Sequence, residues 1–303
     1  MFYRARDKVK KAWFRAWCRG VLRTPPISPD GSSDDVIILS AIGNRDLLMY
    51  LVAIKSFYHF FNRGRVVLLV QDDCPASNLD VLKHHVNPLR ILRDSDVELG
   101  RCPRGGTWER LMAIVNEVND RYVIQLDSDT VTVDEIGEVS ECVSANRSFM
   151  IGTWRRQELE PVRQSCERVK DAKSTHVQMM AEKNFDRLPG YASLKYARGQ
   201  SSFAGFGKGS CTVRALEEFS QQMEKIVGYS KWREWGSESV ASNFLVANAP
   251  AASILPHPKY STYAPPRSNC DRSSLIHFEG TNRFKHGLYI EKARIMIDKI
   301  NGS

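Results

Sequence analysis

Apolar runs and amphipathic stretches alternate along most of the chain. Val36–Ile42, Arg65–Val70 and Tyr122–Leu126 are apolar runs with the length and composition of strands buried on both faces. Between them, Asp46–Phe61, Asn78–His85 and Thr107–Val118 carry apolar residues at helical spacing, with Thr107 as a cap for the last, and Leu89–Leu92 reads as a short strand. Further along, Phe149–Trp154, Ser201–Phe206 and Leu275–Phe278 read as strands, residues 212–226, 237–248 and Tyr289–Ile300 as helices, and Glu160–Asn184 as polar and helix-prone. Strand and helix in alternation predict an α/β fold: a mostly parallel sheet flanked by helices.

The N-terminus breaks this rhythm. Over residues 2–22 a helical wheel puts Phe2, Ala5, Val9, Ala12, Trp13, Ala16 and Trp17 on one side and Arg4, Lys8, Lys11, Arg15 and Arg19 on the other. Residues 1–24 hold eight basic residues and one acid, +7 of the net charge of +8. The body is therefore near neutral, which argues against a nucleic-acid groove. A basic amphipathic helix with aromatic residues suits an anionic membrane surface. Pro25 and Pro26 stop it, and residues 25–35 read as a linker to a catalytic body over 36–303, with a nucleotide-binding half at 36–135 and an acceptor half at 136–303. Seven scattered cysteines without a C-x-x-C pair predict a reduced, cytoplasmic protein, peripheral on the inner face of the membrane, and no stretch is long and apolar enough to span one.

The chemistry concentrates after the third long strand, in Val123-Ile124-Gln125-Leu126-Asp127-Ser128-Asp129-Thr130. Ligands of open α/β sheets bind beyond the carboxyl ends of the strands, and two carboxylates there suit Mn²⁺ or Mg²⁺. The bland reading is an Asx-turn closing a strand. The segment resembles the D-x-D of GT-A-fold nucleotide-sugar glycosyltransferases. His277-Phe278-Glu279-Gly280-Thr281-Asn282-Arg283-Phe284-Lys285-His286-Gly287 is similar to the H-x-x-G-x-x-K-P-W element of their retaining family that includes glycogenin and bacterial lipopolysaccharide galactosyltransferases.

That resemblance implies metal ligation by Asp127, Asp129 and His277. It implies a phosphate contact from Lys285, with Arg283 and His286 as competitors because the spacing differs and the Pro-Trp is missing. It implies a donor contact from Arg110. Trp235–Asn243 resembles the family's D-Q-D-x-x-N segment, which makes Glu238 a candidate acceptor base and Asn243 its companion. The fold places Ala41, Asn44, Arg45, Asp72 and Asp73 toward the nucleotide and the Gly-containing stretch Ser201–Gly207 beside the sugar. The implied function is metal-dependent transfer from a nucleotide-sugar, with a UDP-sugar favoured, to a glycan or lipid-linked acceptor in cell-envelope polysaccharide or glycolipid synthesis. A sugar nucleotidyltransferase is the rival enzyme, although Ile42-Gly43-Asn44-Arg45 is poor in glycine for its phosphate loop. A membrane-tethered binding module is the rival from another class.

Overall fold

A computed structural model describes residues 2–28, 35–87, 89–153, 158–268 and 270–302, with only the backbone of residues 2–8. Helix α1 (Phe2–Cys18) and a 3-10 turn lead to strand β1 (Val36–Ile42). There follow α2 (Leu47–Phe61), β2 (Arg65–Val70), α3 (Ala76–His85), β3 (Leu89–Arg93), α4 (Trp108–Val118), β4 (Tyr122–Leu126) and β5 (Thr130–Thr132). The second half runs α5 (Gly137–Ser144), β6 (Phe149–Gly152), β7 (Glu160–Pro161), α6 (Val162–Val169), α7 (Val177–Glu182), β8 (Lys195–Tyr196) and β9 (Gly199–Phe206). It closes with α8 (Val213–Val227), α9 (Tyr229–Trp232), α10 (Ser237–Ala247), β10 (Ser253–Leu255), β11 (Tyr260–Thr262), β12 (Leu275–His277) and α11 (Leu288–Asn301).

Seven strands form one sheet in the order β10-β6-β9-β4-β1-β2-β3. All its pairings are parallel except those of β9, which runs antiparallel to both β4 and β6. Both faces are covered. Val36, Ile38, Val66, Leu68, Ile124 and Leu126 point into a core shared with α2 and α11. Ile37, Leu39, Val67, Leu69 and Val123 point into a second core with α4, α8 and α10. This alternation is why the strands read as unbroken apolar runs. The helix-prone stretch Glu160–Asn184 holds two helices, α6 directly after the short strand β7, and α7 beyond a turn. Thr107 does not cap α4 through its side chain; at φ 75° it makes no capping hydrogen bond, and its hydroxyl turns to Glu238 instead.

Helix α1 is packed onto the body. Phe14, Cys18 and Val21 are fully buried, and the Phe14 ring lies 4.5 Å from Tyr289 of α11 and 6.0 Å from Phe284. The adjoining face, with Val9, Trp13 and Trp17, is 57%, 63% and 55% exposed. Lys11 lies 3.8 Å from Asp46, and Arg15 donates to the Arg45 carbonyl at 3.0 Å. Of the segment read as a linker, residues 29–34 lie outside the described residues. All seven cysteines are free and buried. Among the described residues no helix is long and apolar enough to cross a membrane.

Candidate active site

Strand β4 lies between β1 and β9 at the centre of the sheet, and the chain leaves it at Asp127. The Asp127 amide still donates to the Ser202 carbonyl at 2.8 Å, which extends the β9 pairing by one residue. The Asp127 carbonyl then accepts from the amide and hydroxyl of Thr130, at 3.3 and 2.8 Å, closing a tight turn. The bland reading of Asp-Ser-Asp as turn chemistry is therefore true of the backbone, while neither carboxylate takes part in the hydrogen bonds that close the turn.

After the turn, β5 pairs antiparallel with β12, which sets His277 opposite Thr130, and the Phe278 amide donates to the Asp129 carbonyl at 2.8 Å. This small sheet, β11-β12-β5, brings His277 to the D-x-D. His277 Nε2 lies 3.4 Å from Asp129 Oδ1, and ligand atoms of Asp127, Asp129 and His277 all fall within 4.8 Å of one another. Two carboxylates and an imidazole fit Mn²⁺ or Mg²⁺, whose ligands stand about 2.0–2.2 Å from the ion. His277 Nδ1 is buried with no hydrogen-bond partner, so the protein alone does not satisfy the ring.

The three residues line a cavity of about 620 Å³, within the range of small-molecule sites. Arg110 and Glu238 line it beside them, and His176, Gln178 and Trp235 line it as well. Arg110 is buried and pairs at once with Asp127 and with Glu238, the latter at 3.1 and 3.3 Å. Glu238 is 2% exposed; its carboxylate also accepts from Thr107 Oγ1 at 2.9 Å and Ser201 Oγ at 3.4 Å. Oε2 takes three of these contacts and Oε1 only one, from Arg110, so Glu238 anchors Arg110 while lining the cavity.

Charge is unevenly shared. Burial pushes Asp127 up to about 7, with Arg110 opposing and Asp129 adding to the rise. Asp129 is held well below the usual carboxylate range by His277 and Arg283, against its own burial. Burial pulls His277 down, but Asp129 and Asp127 outweigh it and raise the imidazole above its ordinary value.

The remaining sequence candidates lie elsewhere. Asn243 is buried and fastens the start of β9, donating to the Gly199 carbonyl at 3.0 Å. Ala41, Asn44, Arg45 and Asp72 sit at the carboxyl ends of β1 and β2, outside the lining of this cavity. Asn44 bonds Gln71 and Asp73 at 3.0 and 2.8 Å, and Asp72 accepts from the Ser95 amide at 3.0 Å. Of the three competitors for a phosphate, Arg283 lines the cavity; Lys285, bonded to Asn282 at 2.7 Å, and His286 do not.

Ser201 and Ser202 line the cavity, but the two glycines of that stretch, Gly205 and Gly207, serve packing. A Cβ on Gly205 would meet Phe149 at 2.3 Å and the Tyr122 hydroxyl at 2.4 Å. Gln200 is a cavity residue that no motif marked; Trp235, the first residue of the Trp235–Asn243 segment, lines the cavity too, although the sequence suggested no role for it.

A search with protein-family profiles finds no match, and neither does a sequence comparison with curated proteins. Solved structures do match by shape. The bifunctional glycosyltransferase WbbM in its apo form superposes with a TM-score of 0.51 over 92% of this chain at 13% identity. The chain has the GT-A glycosyltransferase fold. It spans about half of WbbM, 53% of that chain. The galactosyltransferase LgtC, solved with donor and acceptor sugar analogues, matches 85% of this chain at 11% identity and TM-score 0.48, covering 95% of its own length. Core-mannan synthase A from Aspergillus fumigatus, in a Mn/GDP form, matches 93% at 8% identity and TM-score 0.45, over 90% of its length. In the GT-A chain described here, the D-x-D falls at the carboxyl edge of the central strand, where the sequence resemblance puts it.

Proposed function

We propose that this protein is a glycosyltransferase that moves a sugar from a nucleoside-diphosphate donor to a glycan or lipid-linked acceptor. The observation that carries the reading is the convergence of Asp127, Asp129 and His277 in the 620 Å³ cavity at the carboxyl edge of the sheet. These three would hold Mn²⁺ or Mg²⁺, and the cation supplies positive charge to a departing diphosphate. Arg110, fixed on two carboxylates and nearly free of solvent, presents a rigid guanidinium to the donor. Glu238 holds Arg110 in that place. Thr107 and Ser201, through Glu238, tie the loop before α4 to β9, so the cavity wall is braced from several elements. Trp235, 75% exposed at the cavity, gives an apolar ring face for an acceptor pyranose. The carboxyl ends of β1 and β2, with Asn44, Arg45 and Asp72, face the nucleotide in this reading.

The test is a thermal-shift titration with UDP, GDP and CMP, each with Mn²⁺ and with EDTA. One nucleotide, UDP in the first instance, should stabilise the protein only with metal, by about 2.7 kcal/mol at a hundred times its dissociation constant. Absence of metal-dependent stabilisation by all three would refute the donor site.

The exposed face of α1 supports an anionic membrane surface as the place of work. Val9, Trp13 and Trp17 project from a helix that is fixed to the body through a neighbouring face; Arg15 and Arg19, across the helix from them, and Arg23 in the turn that follows are exposed as well. Arg294 of α11 lies over the Trp17 ring at 4.9 Å and adds a further cation. Each basic residue near an anionic surface contributes about 1 kcal/mol. A lipid-linked acceptor and the cytoplasmic face of a membrane follow from this proposal, and seven free cysteines suit a reducing compartment. Co-sedimentation with phosphatidylserine vesicles, lost in moderate salt, is the expected result; protein that ignores such vesicles at low salt would refute it.

A further inference from the structure

Each carboxylate of the D-x-D is already held by a cation of the protein. Arg110 reaches Asp127 through Nη1 and both oxygens of Glu238 through Nη2. Arg283 pairs with Asp129 through Nη2, while its Nε donates to the Phe278 carbonyl at 3.1 Å. The two guanidiniums share a plan: one part is fixed on a permanent partner and the other on a carboxylate that a divalent cation needs. Both are largely buried, at 5% and 19% side-chain exposure, so these are not the freely solvated pairs that contribute little. Both line the cavity.

They differ in what remains when the carboxylate is withdrawn. Arg110 keeps Glu238, a full negative charge. Arg283 keeps in direct contact only a neutral carbonyl, the Met49 sulfur at 4.0 Å and the Phe284 ring at 6.0 Å, with the Asp46 charge acting on it from beyond contact distance. A desolvated guanidinium facing a cavity without a carboxylate is a strong binder of phosphate oxygens.

We infer that Arg110 and Arg283 are resident counter-cations of the Asp127/Asp129 pair, and that a divalent cation taken up by the pair hands Arg283 over to the donor diphosphate. This rests on the metal-site reading proposed above. Without the cation, Arg283 and Asp129 satisfy each other and the diphosphate finds an occupied guanidinium. With it, Nη2 exchanges partners while Nε stays on the Phe278 carbonyl, so no large side-chain swing is needed. Arg283 is at once a competitor of the metal and the positioning residue for the diphosphate, and its removal moves the two affinities in opposite directions. A purely structural arginine would not do this.

The experiment uses calorimetry on the full chain with Mn²⁺ alone and then with inorganic pyrophosphate. Arg283→Gln loses the charge but keeps a donor for Phe278; Arg283→Ala is the second variant, and circular dichroism checks both folds. Mn²⁺ should bind about tenfold more tightly to each variant than to wild type, as removal of a competitor worth about 1.4 kcal/mol requires. Pyrophosphate at saturating Mn²⁺ should bind each variant at least about tenfold more weakly, and should bind wild type weakly in EDTA. Mn²⁺ affinity that is unchanged or lower in Arg283→Gln overturns the inference, as does unaltered pyrophosphate binding. Wild-type protein that takes up no Mn²⁺ overturns the metal site itself, an outcome distinct from a wild type that binds Mn²⁺ and a variant that fails to tighten.

Discussion

The docking of α1 makes a prediction that separates its two apolar faces. Phe14 is 1% exposed and packs on Tyr289 and Phe284, and Tyr289 stacks on Phe278, the residue after His277, at 4.5 Å. Phe14→Ala would empty that ring's place between α1 and α11. Such truncations cost about 3–5 kcal/mol, part from lost burial and part from the void. With an unfolding entropy of about 2.1 cal/mol/K per residue, a chain of 303 residues loses roughly 5–8 °C in Tm for that cost. Trp13 is 63% exposed, so Trp13→Ala should change stability by no more than about 0.5 kcal/mol, under about 1 °C. Vesicle binding should show the reverse order, with Trp13→Ala impaired more than Phe14→Ala assayed below its Tm. Differential scanning fluorimetry beside vesicle co-sedimentation reads both. If Phe14→Ala melts like wild type, α1 is not docked through this face. If Trp13→Ala melts as early as Phe14→Ala, the two faces are assigned the wrong way round.

Three further outcomes follow from the site and the core. Asp129→Asn should lower turnover by at least about 10²-fold, because it removes charge stabilisation at the leaving group; near-normal turnover in EDTA would contradict the metal role. Glu238→Gln should loosen Arg110 and raise the donor KM more than it lowers kcat, whereas a loss confined to kcat would restore Glu238 as the acceptor base. His85 is 3% exposed, and burial, with Lys55 and His84 adding, lowers its imidazole to about 4. The unfolded chain therefore takes up the proton first, and stability is lost as pH falls from about 6.5 toward 4, by up to about 3 kcal/mol. His85→Leu should flatten that slope in chemical denaturation across this pH range, and an unchanged slope would exclude His85 as its source.

Much of the sheet was legible because burial on both faces leaves a plain mark in sequence. Val36–Ile42 and Tyr122–Leu126 appear at the expected residues, and the polar break at Asp127 marks where the central strand ends. The direction of β9 was not legible, since an apolar run has the same composition whichever way it points. Nor was the β5–β12 pairing: strands of three residues are too short for periodicity, yet they carry His277 to Asp129. A wheel of the N-terminal helix shows Val9, Trp13 and Trp17, but cannot say that Phe14, Cys18 and Val21, one step round, are the residues the body covers. Arg283 was one competitor among three, and the Phe278 amide on the Asp129 carbonyl, a purely tertiary contact, sets it on the cavity wall.

The small sheet β11-β12-β5 also bears on when during synthesis this site can exist. Its metal-facing histidine comes from residue 277 and one of its carboxylates from residue 129, joined only when β12 folds back on β5. A nascent chain that has emerged through β4 and β5 has its acidic turn but no imidazole to close it. Strands β6, β9 and β10 complete the central sheet from the same late portion of the chain. Pairings of such long sequence separation are slow to form because loop closure precedes any gain from contact. The ribosome thus releases the chain through residue 277 before the two carboxylates acquire their third neighbour. Fragments ending before residue 275 should neither bind the ion nor turn over a sugar nucleotide, however well their first strands assemble.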